Sequence, residues 1–213
     1  MKIVILLDQL AKLAPKAHPQ YRVILPSMQG ALDRFEISSK PLRTCHFMAQ
    51  ILHETSGFTV QTENLDLPAE RIALLWPYRF QPKGRLNPAD FVGNEKKLAN
   101  SVYGGRMGNS GPDDGYIYRG RGLLQWRGKD RYAEVTTILR RYYPNVPDFV
   151  VNHDALLGHE WCIKAAAATW FDLGCNAIAD TDSIRAVTSQ LTGGDAGMAE
   201  REAWLKKTKA IWT

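Results

Sequence analysis

Residues 46–64 read HFMAQILHETSGFTVQTEN. Phe47, Met48, Ile51 and Leu52 fall at helical spacing and predict one buried helix face. Gly57 is a helix stop. The last polar residues before that stop are His53 and Glu54. Further on, in a loop-like segment, Glu63 stands between Gln61 and Asn64 with Thr62. One carboxylate is thus placed at a rigid helix end and a second on a loop, a layout that suits a cleft using two acids differently. Carboxylates are mostly solvated surface groups, so the pair carries weight only with support from the rest of the chain.

The totals set the frame. The 213 residues suffice for one sizeable buried core and predict a single domain over 1–213. The net charge of +5, from 27 basic and 22 acidic residues, favours anionic partners. The basic residues are scattered, with only short groups at Arg140–Arg141 and Lys206–Lys207–Lys209, so no nucleic-acid arm is expected. Cys45, Cys162 and Cys175 show no CxxC or Cys/His ligand spacing, which argues against a structural zinc site. Cys45 and Cys162 lie in apolar helical patterns and read as small hydrophobes. A Cys162–Cys175 pairing stays open for an oxidising compartment.

At the start of the chain, the apolar run Ile3–Leu7 is shorter than the roughly 7–15 residues of a secretory core. Ile3, Leu6, Leu7, Leu10 and Leu13 read instead as one face of a first helix. No stretch approaches transmembrane length, so neither a signal peptide nor stable membrane insertion is expected.

Helical spacing continues through most of the sequence. A segment from Tyr21 to Phe35 is expected to kink at Pro26. Ser38 or Ser39 is expected to cap the helix that ends at Glu54, with Pro41 in its first turn. Further helices are predicted over 68–76, 94–103, 123–143, 154–173, from a cap at Asp180 or Thr181 to Leu191, and over 196–212. Alternating strand patterns are nearly absent. The class is mainly α, with at most a small hairpin near 116–126.

Residues 104–122, GGRMGNSGPDDGYIYRGRG, interrupt this pattern. A long loop inside a compact domain is usually functional, and glycine lets backbone approach a ligand closely. Asn109, Asp113, Asp114, Tyr116, Tyr118, Arg119, Arg121, Gln125 and Trp126 are interleaved along it. Aromatic faces stack on sugar rings, and amides and guanidiniums hydrogen-bond hydroxyl and acetamido groups. Neither a P-loop nor a dinucleotide-type glycine signature is present.

HETSGF, QTEN, YGGRMGN and DGYIYRGRGLLQ, in this order, resemble the chitinase-type family 19 glycoside hydrolases, and most of all the short phage and prophage endolysins that degrade peptidoglycan. The likeness runs from about Leu42 through LTGG at 191–194 to Arg201. It implies a lysozyme-like, two-lobed helical fold with a central substrate cleft, a single catalytic domain without a separate wall-binding module, and no metal or cofactor. It implies that Glu54 is the general acid and Glu63 the general base of an inverting mechanism, which needs carboxylates roughly 6.5–9.5 Å apart. An acid at a helix end facing apolar residues would have a raised pKa, and one on a polar loop would stay ionised. His53, Tyr118, Arg121, Gln125, Trp126 and Arg201 carry over as substrate contacts or cleft supports, and Arg127 and Thr192 are expected to bind substrate beside them. For Arg121 a structural pairing with a carboxylate stands beside that role, and for Trp126 and Tyr132 core packing does. His53-Glu54 also begins an HExxH pattern, but position 57 is glycine, so the metalloprotease reading fails.

The likeness further implies peptidoglycan glycan strands as partner. It also implies a monomer released by a holin, resident in the host cytoplasm until lysis and then in the periplasm and cell wall. The alternatives are a chitinase acting on GlcNAc polymers and a glycan-binding protein with impaired catalysis. Three polar positions depart from the family pattern. Arg127 stands where Ser or Thr usually holds the nucleophilic water, Arg131 replaces an Asn, and Thr192 replaces the Asn of INGG. Arginine cannot accept a hydrogen bond from water. Either Glu63 holds water with help from Thr192 or Thr62, or it is not the base; the two added cations could instead pair with Glu63 or with substrate carboxylates, which peptidoglycan has and chitin lacks.

Overall fold

A computed structural model describes residues 2–213. Twelve α-helices follow in order: α1 (Leu7–Leu13), α2 (Pro19–Ile24), α3 (Met28–Arg34), α4 (Pro41–Glu54), α5 (Ala69–Leu75), α6 (Glu95–Tyr103), α7 (Asp114–Ile117), α8 (Lys129–Arg140), α9 (Cys162–Asp172), α10 (Cys175–Ala179), α11 (Ile184–Thr192) and α12 (Met198–Trp212). Short 3-10 turns cover Leu25–Ser27, Pro88–Phe91 and His153–Leu157. The expected mainly α architecture is present. In place of a hairpin there are isolated antiparallel bridges, Thr62 with Arg121 and Arg121 with Trp126.

The helix holding His53 and Glu54 is the axis of the fold. Every residue of α4 from Thr44 to Leu52 is buried. It is sheathed by α12 along its length and by α10 and α11. Burial on all sides explains why its composition is apolar beyond a single stripe. The helix stops because Thr55 turns its hydroxyl back onto the Ile51 carbonyl while accepting from Phe58 N–H at 3.0 Å. Ser56, Gly57 and Phe58 then adopt left-handed backbone at φ +48°, +71° and +61°. Gly57 N–H closes onto the Leu52 carbonyl at 2.7 Å, satisfying an otherwise orphaned acceptor.

Two hydrophobic clusters result. The large one gathers α1–α4 and α8–α12. The small one joins Leu65, Ile72, Phe80, Phe91, Leu98, Ala99 and Val102 around α5 and α6. These are the two lobes.

Several local expectations are corrected. Residues 2–6 are extended rather than helical: Ile3 donates to the Ser38 carbonyl and Ile5 to the Gln29 side chain, which removes their backbone from a helix. Leu6 and Leu7 are exposed in consequence. Lys40, not a serine, precedes α4; Ser38 donates to Asp33 and Ser39 to the Glu36 carbonyl. Pro26 converts its kink into the 3-10 turn. Residues 123–128 are not helical, because Gln125 and Gly128 have φ of +48° and +86°. The 154–173 segment breaks at Gly158 into a 3-10 turn and α9. Ser183, not Asp180 or Thr181, caps α11, accepting from Ala186 N–H.

All three cysteines are free and buried, so Cys162 and Cys175 are unpaired. Burial pushes their thiols up to about 12 and that of Cys45 to about 11. None of the described helices is long and apolar enough to cross a membrane.

Candidate active site

A cleft of about 1130 Å³ opens between the lobes. Gln50, His53 and Glu54 of α4, Arg201 of α12 and the 191–197 turn form one wall. Arg71 and Leu75 of α5 face it from the small lobe, and Leu124–Arg127 with Arg131 close the side.

Glu54 is held by one cation. Arg201 Nη2 donates to its Oε1, Arg201 Nη1 donates to Gln50 Oε1, and Arg201 Nε donates to the Ala196 carbonyl at 3.0 Å. Arg201 is 4% exposed, so its three anchors fix it. Among the described residues, no protein donor reaches Oε2 of Glu54. The apolar surroundings expected for this acid are absent: its neighbour is a guanidinium. His53 packs against Gly197, where an added Cβ would fall 2.4 Å from the imidazole Cε1. Gly197 is required twice over, since its φ is +72°. Burial, followed by the Arg201 charge, pushes the His53 imidazole below its ordinary value.

Glu63 is enclosed differently. Its backbone N–H donates to the Gly120 carbonyl at 2.8 Å, and Gly120 N–H returns to Glu63 Oε2 at 3.1 Å. Tyr103 donates its hydroxyl to Oε1 at 2.7 Å. Arg127 places Nε and Nη2 on the same oxygen, each at 3.0 Å. Gly120 is needed for the approach, because a Cβ there would lie 2.8 Å from Gln125 Oε1 and 3.2 Å from Glu63 Cβ. The Glu63 side chain is 12% exposed, and Arg127, not Glu63, forms the cleft wall. Burial, then the Glu63 charge, pushes the Tyr103 phenol up, keeping it a donor.

The glycine-rich loop is corrected in role. Most of its polar groups serve the loop itself. Asn109 is buried and spans the Tyr103 carbonyl and Lys129 N–H. Asp114 accepts from Ser110 and Gly111 N–H. Tyr118 is buried and donates to the Val150 carbonyl, away from the cleft. Arg121 takes the structural option: Nε meets Asp154 at 2.8 Å and Nη1 serves the Ile117 carbonyl and the Tyr132 hydroxyl. Tyr132 is in the core. Trp126 is 4% exposed, with its edge against Gly122 and only a margin on the cleft.

Gln125 lines the cleft but spends its amide on the Gly122 and Gln61 carbonyls, at 2.9 and 3.2 Å. Thr192 lines the cleft and donates to the Thr188 carbonyl at 2.9 Å. Of the two departing arginines, Arg127 pairs with Glu63 and Arg131 with Glu134. Sequence reasoning left out Gln50, Tyr103, Arg71 and Gly197. Gln50 lies one helical turn before Glu54, a spacing that could have found it.

Two lobes of helices around a cleft that bears a glutamate at a helix end are the architecture of a glycoside hydrolase. No family profile matches the chain. A Glycosyl hydrolase family 19 domain-containing protein from Haemophilus influenzae is 31% identical over 157 residues, 73% of this chain and 72% of the relative. The chain belongs to glycosyl hydrolase family 19. The fold matches that of chitinase C from Streptomyces griseus HUT6037, with TM-score 0.58 and 12% identity over 96% of this chain and 90% of the other. A glutamate-to-glutamine variant of chitinase C gives TM-score 0.59 at 13% identity.

Proposed function

We propose that this hydrolase is a phage or prophage endolysin that cleaves β-1,4-glycosidic bonds of bacterial peptidoglycan with inversion. In this reading Glu54 is the general acid: Arg201 fixes Oε1 and leaves Oε2 to carry the proton to the leaving oxygen. Glu63 is the general base, taking a proton from the water that attacks the anomeric carbon as the bond to the leaving oxygen breaks. The products are a free reducing end and a new hydroxyl end. The protein acts as a monomer, made in the host cytoplasm and reaching the wall through a holin-made lesion.

The observation that carries the choice of polymer is the charge of the cleft. Arg71, Arg127, Arg131 and Arg201 line it with Glu54 and Asp195, and Arg127 and Arg131 pair with Glu63 and Glu134, which do not line it. Among the described residues Arg71 has no ion-pair partner, and Asp195 is occupied by Arg185. A surplus of guanidiniums suits carboxylate-bearing strands and offers nothing to a neutral GlcNAc polymer. The test compares turbidity loss of outer-membrane-permeabilised Gram-negative cells with oligomer release from colloidal chitin. The expected result is rapid clearing and slow chitin hydrolysis; chitin hydrolysis without clearing would replace endolysin by chitinase.

A further inference from the structure

The two candidate catalytic carboxylates are not equally ready. A general base must offer a lone pair to a water molecule within hydrogen-bond reach. Oε1 of Glu63 already accepts two hydrogen bonds, from Tyr103 Oη and Arg127 Nε, with Arg127 Nη2 in ion-pair contact at 3.0 Å. Oε2 receives Gly120 N–H, and Arg127 stands between the carboxylate and the cleft. With Arg127 in place, Glu63 keeps only 12% of its side chain exposed and does not line the cleft.

The donors differ in permanence. Gly120 N–H is backbone, fixed by the return bond from Glu63 N–H. Tyr103 closes α6 and packs its ring edge-on against Trp76. Arg127 is the exception: its side chain is 40% exposed and Glu63 is its one ion-pair partner among the described residues. If Arg127 swings away, Tyr103 and Gly120 still hold the carboxylate in place, and the side facing the cleft opens.

We infer that Arg127 is a specificity latch on Glu63, drawn off by a carboxylate on the substrate strand. This rests on the peptidoglycan reading. A carboxylate entering the cleft finds Arg127, Arg131 and Arg71 among the residues that line it. The pair that Arg131 makes with Glu134 is an exposed one three residues along α8, of the kind that contributes little and exchanges readily. The incoming anion replaces Glu63 as acceptor for Arg127, so the guanidinium loses no charge-assisted bond in moving. A neutral strand offers no such replacement and leaves the latch closed. Arg127 thus makes base activation conditional on substrate charge, at a position where the family pattern has a small hydroxyl.

The experiment crosses substrate charge with the latch. Purified sacculi are used intact and after their carboxylates have been amidated with methylamine, and chitohexaose serves as a neutral strand. Wild type, Arg127→Gln and Arg127→Lys are assayed for new reducing ends, with thermal unfolding confirming that each variant is folded. Wild type should lose roughly tenfold or more on amidation, the scale of one charge-assisted contact. Arg127→Gln should be indifferent to amidation and should cleave chitohexaose faster than wild type. Arg127→Lys should recover part of the dependence on substrate charge.

Equal sensitivity of wild type and Arg127→Gln to amidation would overturn the latch. So would a uniform loss on every substrate, which marks a residue that only positions Glu63. If wild type cleaves chitohexaose and leaves sacculi intact, the peptidoglycan reading fails. The latch falls with it, because a neutral strand has then reached Glu63 while a carboxylate-bearing one has not.

Discussion

Glu54 and Glu63 each carry an arginine, and the two arginines are opposites. Arg201 is buried at 4% exposure and anchored by Gln50 and Glu54 on one helix and by Ala196 on a turn. Arg127 is exposed at 40% and grips one carboxylate oxygen. A buried ion in a full set of hydrogen bonds is a fixture, because releasing it leaves charges and acceptors unsatisfied. An exposed ion is readily exchanged, because water replaces its partner at little cost. The same residue type therefore builds one half of the site and guards the other.

The largest effect should come from Glu54→Gln, which removes the proposed proton donor while keeping its shape. Reducing-end release should fall about 10²–10⁴-fold, and a retained rate would dismiss Glu54 as the acid. Next, Arg201→Ala strands Glu54 and Gln50 in a buried setting and should lower unfolding free energy by about 3–5 kcal/mol. Arg127→Ala should cost less, because Tyr103 and Gly120 continue to hold Glu63. Parallel denaturant titrations measure both, and equal losses would erase the contrast between the two arginines.

Gly197→Ala should cost about 1–3 kcal/mol through its left-handed backbone and displace the His53 ring, lowering kcat as well. A fully active Gly197→Ala protein would show that His53 need not be seated there. The smallest effect is a pH dependence. The His53 imidazole is held below its ordinary value of 6.5, by burial first and Arg201 second. The unfolded chain therefore binds the proton first as pH falls below 6.5, and the stability contributed by neutral His53 is lost as pH falls through its folded value. His53→Gln should flatten the corresponding part of a Tm-against-pH curve between pH 7 and 5; an unchanged slope would remove His53 from the account.

The fixed half of the site was the legible half. The period of Phe47, Met48, Ile51 and Leu52 and the stop at Gly57 place Glu54 at a helix end, because burial and termination are local properties of α4. Arg201 was reachable only through the family likeness, since nothing near it in the chain announces a partner 147 positions away. The enclosure of Glu63 was illegible for a related reason. Tyr103, Gly120 and Arg127 come from α6, a bridge and a left-handed turn, and only tertiary folding brings them onto one carboxylate. The 104–126 segment misled because polar residues that satisfy a loop's own backbone look, in sequence, like polar residues that wait for a ligand. Its aromatic rings went inward for the same reason as any others: burying an aromatic face is worth more than exposing it.

The bond from Arg201 to Glu54 also sets a time. α4 is complete early in synthesis, whereas α12 is the last helix of the described chain to leave the ribosome. Until α12 docks, Glu54 lacks its guanidinium and the cleft lacks Arg201 from its lining. Contacts this distant in sequence form late.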